Sequence, residues 1–351
     1  MIVPRTDDLD SRDAGRPAHE APAMSAQHVR NAIDRWQQAR PVTAVPCAVA
    51  KKFTDDGASR LAALIAYWSF FSIFPLLLAF ASILGFLLEG NTDFQKDVLD
   101  STVAQVPVIG DQLSRDVTSL KGSGAALAIG IAGAVWAGLG VTLAMARALD
   151  TLWGVRRLDR PDYVHARLRG LAILVVLGTA QIVTTVVVTL ARNGTIQPPI
   201  AGIAGFAGSA AIDLLVFVTA FRVLTAAGVS TRQVLPGAVL ATISWLGLQT
   251  LGGLYVERVV ARSSATYGVF AVVIGLLSWL WLAAQLSLVA GEVNVVLAQR
   301  LWPRSLFGGL AAADERAMRT AAEAEQRDRR QHIVVSFDSA AEPPAQARTE
   351  R

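Results

Sequence analysis

Six apolar stretches, each nearly free of charge, constrain this chain more than any other feature of its sequence. They run over about 61–88, 125–145, 170–190, 200–221, 234–256 and 268–297. Each reaches the roughly 20 residues that an α-helix needs to cross about 30 Å of hydrocarbon. Lipid offers no partner to backbone N–H and C=O groups, so a spanning segment must satisfy them internally, as a helix does. The expected fold is therefore all-α: a polytopic membrane protein with six transmembrane helices. The first and sixth segments are long enough to tilt, kink or project from the bilayer.

Composition points the same way. Of 351 residues, 53% are hydrophobic and only 17% charged, with a mean hydropathy of +0.43. A soluble domain carries about 25% charged residues. The charges crowd into both ends and a few short connections, as expected when a charge in hydrocarbon costs several kcal/mol. One cysteine, Cys47, excludes an internal disulfide or a Cys-based metal site, and His19, His28, His165 and His332 lack metal-ligand spacing. The net charge of +4 follows from membrane topology rather than nucleic-acid binding.

Lysine and arginine in the short flanks set the expected orientation. On one side lie Arg35, Arg40, Lys51, Lys52 and Arg60, then Arg147, Arg156, Arg157, Arg160, Arg167 and Arg169, then Arg222, Arg232, Arg300 and Arg304. The other side has Lys96, Arg115, Lys121, Arg192, Arg258 and Arg262. This asymmetry places both termini in the cytoplasm. No cleavable signal peptide precedes the first apolar run, which serves as an uncleaved anchor in the inner membrane.

Three regions follow: a polar, largely disordered N-terminal segment over 1–50, a six-helix transmembrane domain over 51–300, and a charged, partly disordered tail over 301–351. A short polar helix is expected over 28–38 and a charged one over 311–330. Residues 48–53 read as an amphipathic stretch with its lysines toward lipid headgroups, or as a solvated linker. The first outer loop, 89–124, alternates Asp93, Asp97, Asp100, Asp111 and Asp116 with apolar residues at helical spacing, broken at 107–110. It reads as two short amphipathic helices on the outer face.

Several motifs resemble one known family. The first helix carries Ala62-Ala63-Leu64-Ile65-Ala66-Tyr67-Trp68-Ser69-Phe70-Phe71-Ser72-Ile73-Phe74-Pro75. The fifth opens with Leu235-Pro236-Gly237-Ala238. Ser264-Ala265-Thr266-Tyr267-Gly268 leads into the sixth, which holds Trp279-Leu280-Trp281 and Ala290-Gly291-Glu292-Val293-Asn294. In order and spacing these resemble the YihY/virulence factor BrkB membrane proteins, once given the name ribonuclease BN. In that family Gly-Ala-Glu usually stands where this chain has Ala290-Gly291-Glu292. The resemblance covers roughly residues 50–300 and implies a six-helix protein of the bacterial inner membrane, with little defined chemistry.

The candidate positions are polar or hinge residues inside the membrane. Pro75, in the middle of the first helix, removes a backbone donor and predicts a bend near Phe71, with Ser69 and Ser72 turned toward the bundle to serve the freed carbonyls. Asp213 lies well inside the fourth segment, where an acid needs a partner; Arg222, Gln249 and Gln181 are the candidates. Glu292 and Asn294 close the sixth helix near its inner boundary, where arginines of the inner loops or water would meet them. Gly130, Ala134 and Gly138 repeat every four residues as a close-packing ridge.

No clustered Asp, Glu or His suggests a metal-dependent nuclease, and no phosphate-binding loop is present. No catalytic residue, metal or cofactor is expected. The expected partners are the lipid bilayer and an unidentified solute or lipid; a homo-oligomer is compatible, nucleic acid is not expected. The leading function is a transporter or permeation protein. A non-transporting scaffold for envelope integrity is the alternative, and a membrane-bound hydrolase or nuclease comes last.

Overall fold

The computed structural model describes residues 30, 32–87, 124–193, 198–255, 269–307 and 310–337, and among them the only regular structure is helical. Residues 32–38 are helical and lead into α1 (Pro41–Asp55). Then come α2 (Ala58–Leu87), α3 (Gly124–Leu152), α4 (Tyr163–Asn193), α5 (Pro198–Leu224), α6 (Thr231–Tyr255), α7 (Val269–Ala298) and α8 (Ala312–Ala324). Six of these, α2 to α7, are long and apolar enough to cross a membrane. The helices expected in the first outer loop lie outside the described residues, except for Gly124, which opens α3.

The spans form a ring in chain order. Each packs on its neighbours in sequence, and α7 returns to pack on α2. One end of the ring carries α1, the Arg-rich connection from α3 to α4, and the segment after α7; it is called here the terminal end. There α3 also touches α5 and α7, filling the centre.

Burial follows this polarity. Ala58, Ala62 and Ile65 of α2, Ala144, Ala148, Leu149 and Leu152 of α3, and Phe221 and Leu224 of α5 are all buried at the terminal end. So are Val234, Ala238 and Ala241 of α6 and Leu288, Val295 and Val296 of α7. Toward the far end α2 and α3 still touch at Ala79 and Gly130, but among the residues whose burial is described α4 and α5 bury none there.

The helices outrun their apolar segments mainly at the terminal end. Helix α3 continues past Arg147 to Leu152 because protein supplies partners there. Asp150, buried within it, accepts the Ala226 N–H at 2.8 Å. Helix α8 stops at Ala324, short of the expected 330.

The small residues of α3 do not form the single ridge expected. An added Cβ on Gly130 would lie 2.6 Å from Ala79 N of α2, whereas one on Gly138 would meet Leu174 of α4 at 3.1 Å. Positions four apart drift by about 40° per step on a helix, so the set spreads over two neighbours. The ridge against α2 is Gly130, Gly133 and Gly140, which meet Ala79, Pro75 and Trp68.

Candidate functional site

The most concentrated polar chemistry lies where α1 meets α7 at the terminal end. Ala44, Ala48, Val49 and Lys52 share one face of α1, and all four are buried. The lysines therefore do not reach toward lipid headgroups, as the amphipathic reading of 48–53 expected. The apolar face packs on α7 and carries Lys52 inward with it. Lys52 Nζ donates to the Leu152 carbonyl at 2.8 Å and to the Asp56 carboxylate. It also lies 3.3 Å from Glu292 Oε2.

Glu292 is fully buried. Its approach to Lys52 is an ion-pair distance, and neither of its oxygens accepts a hydrogen bond among the described residues. It meets the same ammonium as the Asp56 carboxylate, so the two acids stand side by side at Lys52. Gly57, at φ +63°, makes the turn into α2 that sets Asp56 one helical turn beyond Lys52. Burial pushes the Asp56 carboxyl above the usual aspartate range, against the pull of Lys52. Glu292 thus meets a lysine of α1 rather than an inner-loop arginine.

Asn294, two residues on, faces α6. Its Oδ1 accepts the Gly237 N–H at 2.6 Å. A Cβ on Gly237 would fall 2.1 Å from the Ala290 carbonyl, so α6 and α7 touch backbone to backbone beside Pro236.

A second polar cluster ties the segment after α7 to α1. Arg300, at φ +52°, ends α7, and Leu301 N–H returns to the Val296 carbonyl at 3.0 Å. The strap that follows holds Arg304, 1% exposed, whose Nε meets Asp314 Oδ1 at 2.8 Å and whose Nη2 meets Asp55 at 2.7 Å. Asp314 also takes the Ser305 N–H and Lys51 Nζ, both at 2.9 Å. Residues ahead of α1 grip the same strap: Gln37 donates to the Arg304 carbonyl at 2.7 Å, and Asp34 accepts Leu306 N–H and Ser305 Oγ. Burial alone would raise Asp34 and Asp314, but their N–H, hydroxyl and, for Asp314, ammonium and guanidinium donors hold both below the usual range.

The intramembrane candidates are more scattered. Asp213, half-buried at midspan of α5, has no hydrogen bond or ion pair among the described residues. Arg222 donates instead to Thr231 Oγ1 at 3.1 Å, and Gln181 and Gln249 are exposed. Helix α2 runs unbroken through Pro75, which packs on Gly133. Ser69 and Ser72 are half-buried, and Ser72 Oγ donates to the Ser69 carbonyl at 2.7 Å, not to that of Phe71. The structure brings Glu292 and Asn294 onto one stretch of α7 and leaves Asp213, Gln249 and the Pro75 group apart.

Sequence reading missed Lys52, Asp150, Arg304 and Asp314 as buried polar groups, and Asp56 as the partner of Lys52. One signal was present: Lys52 and Asp56 stand four apart, a helical ion-pair spacing, behind the small apolar pair Ala48-Val49.

Comparison with known proteins agrees with this architecture. Residues 49–314 match the family described as "Virulence factor BrkB", so the match opens in α1 and closes on Asp314. The chain is 27% identical over 259 residues to "Putative ribonuclease-like protein YfkH" of Bacillus subtilis (strain 168), covering 70% of this chain and 91% of that protein. No solved structure matches it. The motifs of α2, α6 and α7, the six apolar helices and this match lead to one conclusion: the chain is a multi-pass membrane protein of the virulence factor BrkB family.

Proposed function

We propose that this protein is a transporter or permeation protein of the bacterial inner membrane, for a solute or lipid, with its terminal end in the cytoplasm. The observation that carries the reading is Asp213. It lies at midspan in the most sparsely packed helix of the ring, without a partner among the described residues. An acid held at that depth normally faces a wet cavity or path, because hydrocarbon would not tolerate it. The ring arrangement and the filled terminal end fit a path open from the far side and closed near the cytoplasm. The arginines of the α3–α4 connection lie at that same end, which supports its cytoplasmic placement.

The relative's name suggests a ribonuclease. The described residues bring together no three His, Cys, Asp or Glu side chains able to hold a metal ion, and the buried acids are centred on a lysine. A hydrolase or nuclease therefore stands behind both transport and a structural role in the envelope.

Thiol accessibility tests the reading. Cys47 is the single cysteine, so Cys47→Ser gives a thiol-free background. In it, Asp213→Cys should react with a membrane-impermeant methanethiosulfonate sulfonate added to whole cells. Leu215→Cys, at the same depth but 64% exposed on another face, should not. Equal inertness of the two would remove the path and leave the scaffold reading.

A further inference from the structure

We infer that Asp56 and Glu292 form a proton-binding site, holding one proton between their carboxyl groups above the Lys52 ammonium. The argument begins with charge. The fully buried Glu292 and the largely covered Asp56 share one ammonium, which leaves one negative charge uncompensated. A buried charge without a partner is strongly destabilising.

Among the described residues no other cation pairs with either acid. On α1, Lys51 is committed to Asp314 and the Ser305 carbonyl. Asp55, also on α1, is taken by Arg304 of the strap. On α2, Arg60 is exposed and folds back along Gly57. Arg300, after α7, and Arg232, on α6, are exposed. On α3, Asp150 accepts the Ala226 N–H and has Arg160 and Arg169 as its charged neighbours. On α7 itself the nearest polar side chain is Asn294, which is occupied by Gly237.

The ligand must therefore be positive and small. A metal ion is disfavoured by the ammonium 3.3 Å from Glu292 and, among the described residues, by the lack of a third acid to complete a ligand set. A proton meets neither objection. It needs no space, and it turns one carboxylate into an O–H donor, giving the otherwise unbonded Glu292 oxygens a hydrogen-bond partner in Asp56. Two carboxyls forced together commonly share one proton in this way. With the proton in place the cluster is neutral and α1 seats on α7. The site does not depend on whether the ring moves a solute.

Infrared spectroscopy of the full chain in lipid nanodiscs tests this. The wild type at neutral pH should show the C=O stretch of a buried protonated carboxyl, lost as pH rises. Glu292→Gln and Asp56→Asn should each abolish it, because either leaves one carboxylate facing one ammonium. No band in the wild type overturns the proposal, as does a band that survives both substitutions, which would belong to another acid such as Asp213. Loss in one variant alone assigns the proton to that acid and overturns sharing. If neither variant folds, Lys52→Gln decides: without the ammonium the pair should keep its proton to higher pH, and an unchanged titration overturns the site.

Discussion

The two halves of the ring handle polar groups by opposite means. At the terminal end, Lys52, Glu292, Asp150, Arg304 and Asp314 are all buried, and short contacts from distant parts of the chain surround them. Toward the far end the polar side chains bond mostly to their own helix: Ser209 to the Phe206 carbonyl, Ser278 to Ile274, Thr250 to Leu246. In the first half polar groups join helices; in the second they are satisfied locally, and each helix stays free of its neighbours' chemistry. Stability therefore concentrates at one end, and freedom to rearrange at the other.

Removing charges at each site should expose this contrast most sharply. Asp314→Ala takes a partner from each of Arg304, Lys51 and the Ser305 N–H, and breaking a buried pair costs about 3–5 kcal/mol. The melting temperature and detergent-extracted yield should fall accordingly. Asp213→Asn should change stability by no more than about 0.5 kcal/mol, as for a side chain with little to lose. Equal losses would erase the distinction between the halves.

Glycine scanning gives a smaller difference. Gly237→Ala drives a methyl into the Ala290 carbonyl, and overpacking of that kind costs about 1–3 kcal/mol. Gly178 and Gly202 have nothing within 4 Å of an added Cβ, so alanine there should be neutral or stabilise by up to about 1 kcal/mol through helix propensity. A destabilising Gly202→Ala would show that the far half is packed more tightly than described.

Titration should give the smallest effect, and only at the terminal end. Asp34 and Asp314 have folded values below their unfolded value of 3.8, so their stabilisation is present above that pH and lost as pH falls through the folded values. Asp56 is shifted the other way, so it opposes folding at high pH and stops doing so as pH falls through its raised value. The melting temperature should therefore peak in mild acid, decline slightly toward alkaline pH, and fall again below the ordinary aspartate range. A steady decline from neutral pH downward would contradict this.

The spans were legible because a bilayer forces the same signal onto each: about 20 residues without charge. The terminal cluster was not, for a physical reason. Glu292 looked like an ordinary polar residue at a helix end, and Lys52 like an interfacial lysine. Only the docking of α1 on α7 makes them partners, and no local pattern encodes it. Asp213 stood out because its anomaly is local, an acid inside an apolar run. The ends of α3 ran past the apolar segment because Asp150 answers to a backbone N–H after α5 rather than to hydropathy.

The grip of Gln37 on the Arg304 carbonyl spans 267 residues, and it bears on how the molecule is made. At about 5–20 residues per second of synthesis, the early segment leaves the ribosome on the order of ten to fifty seconds before its acceptor exists. During that interval all the spans enter the bilayer, and α1 can already dock on α2, α3 and α7. Closure of the strap on α1 is thus the last step of assembly. A chain cut short before the strap would leave Lys51 and Asp55 without Asp314 and Arg304, so an unfinished chain differs from a finished one in its exposed charge.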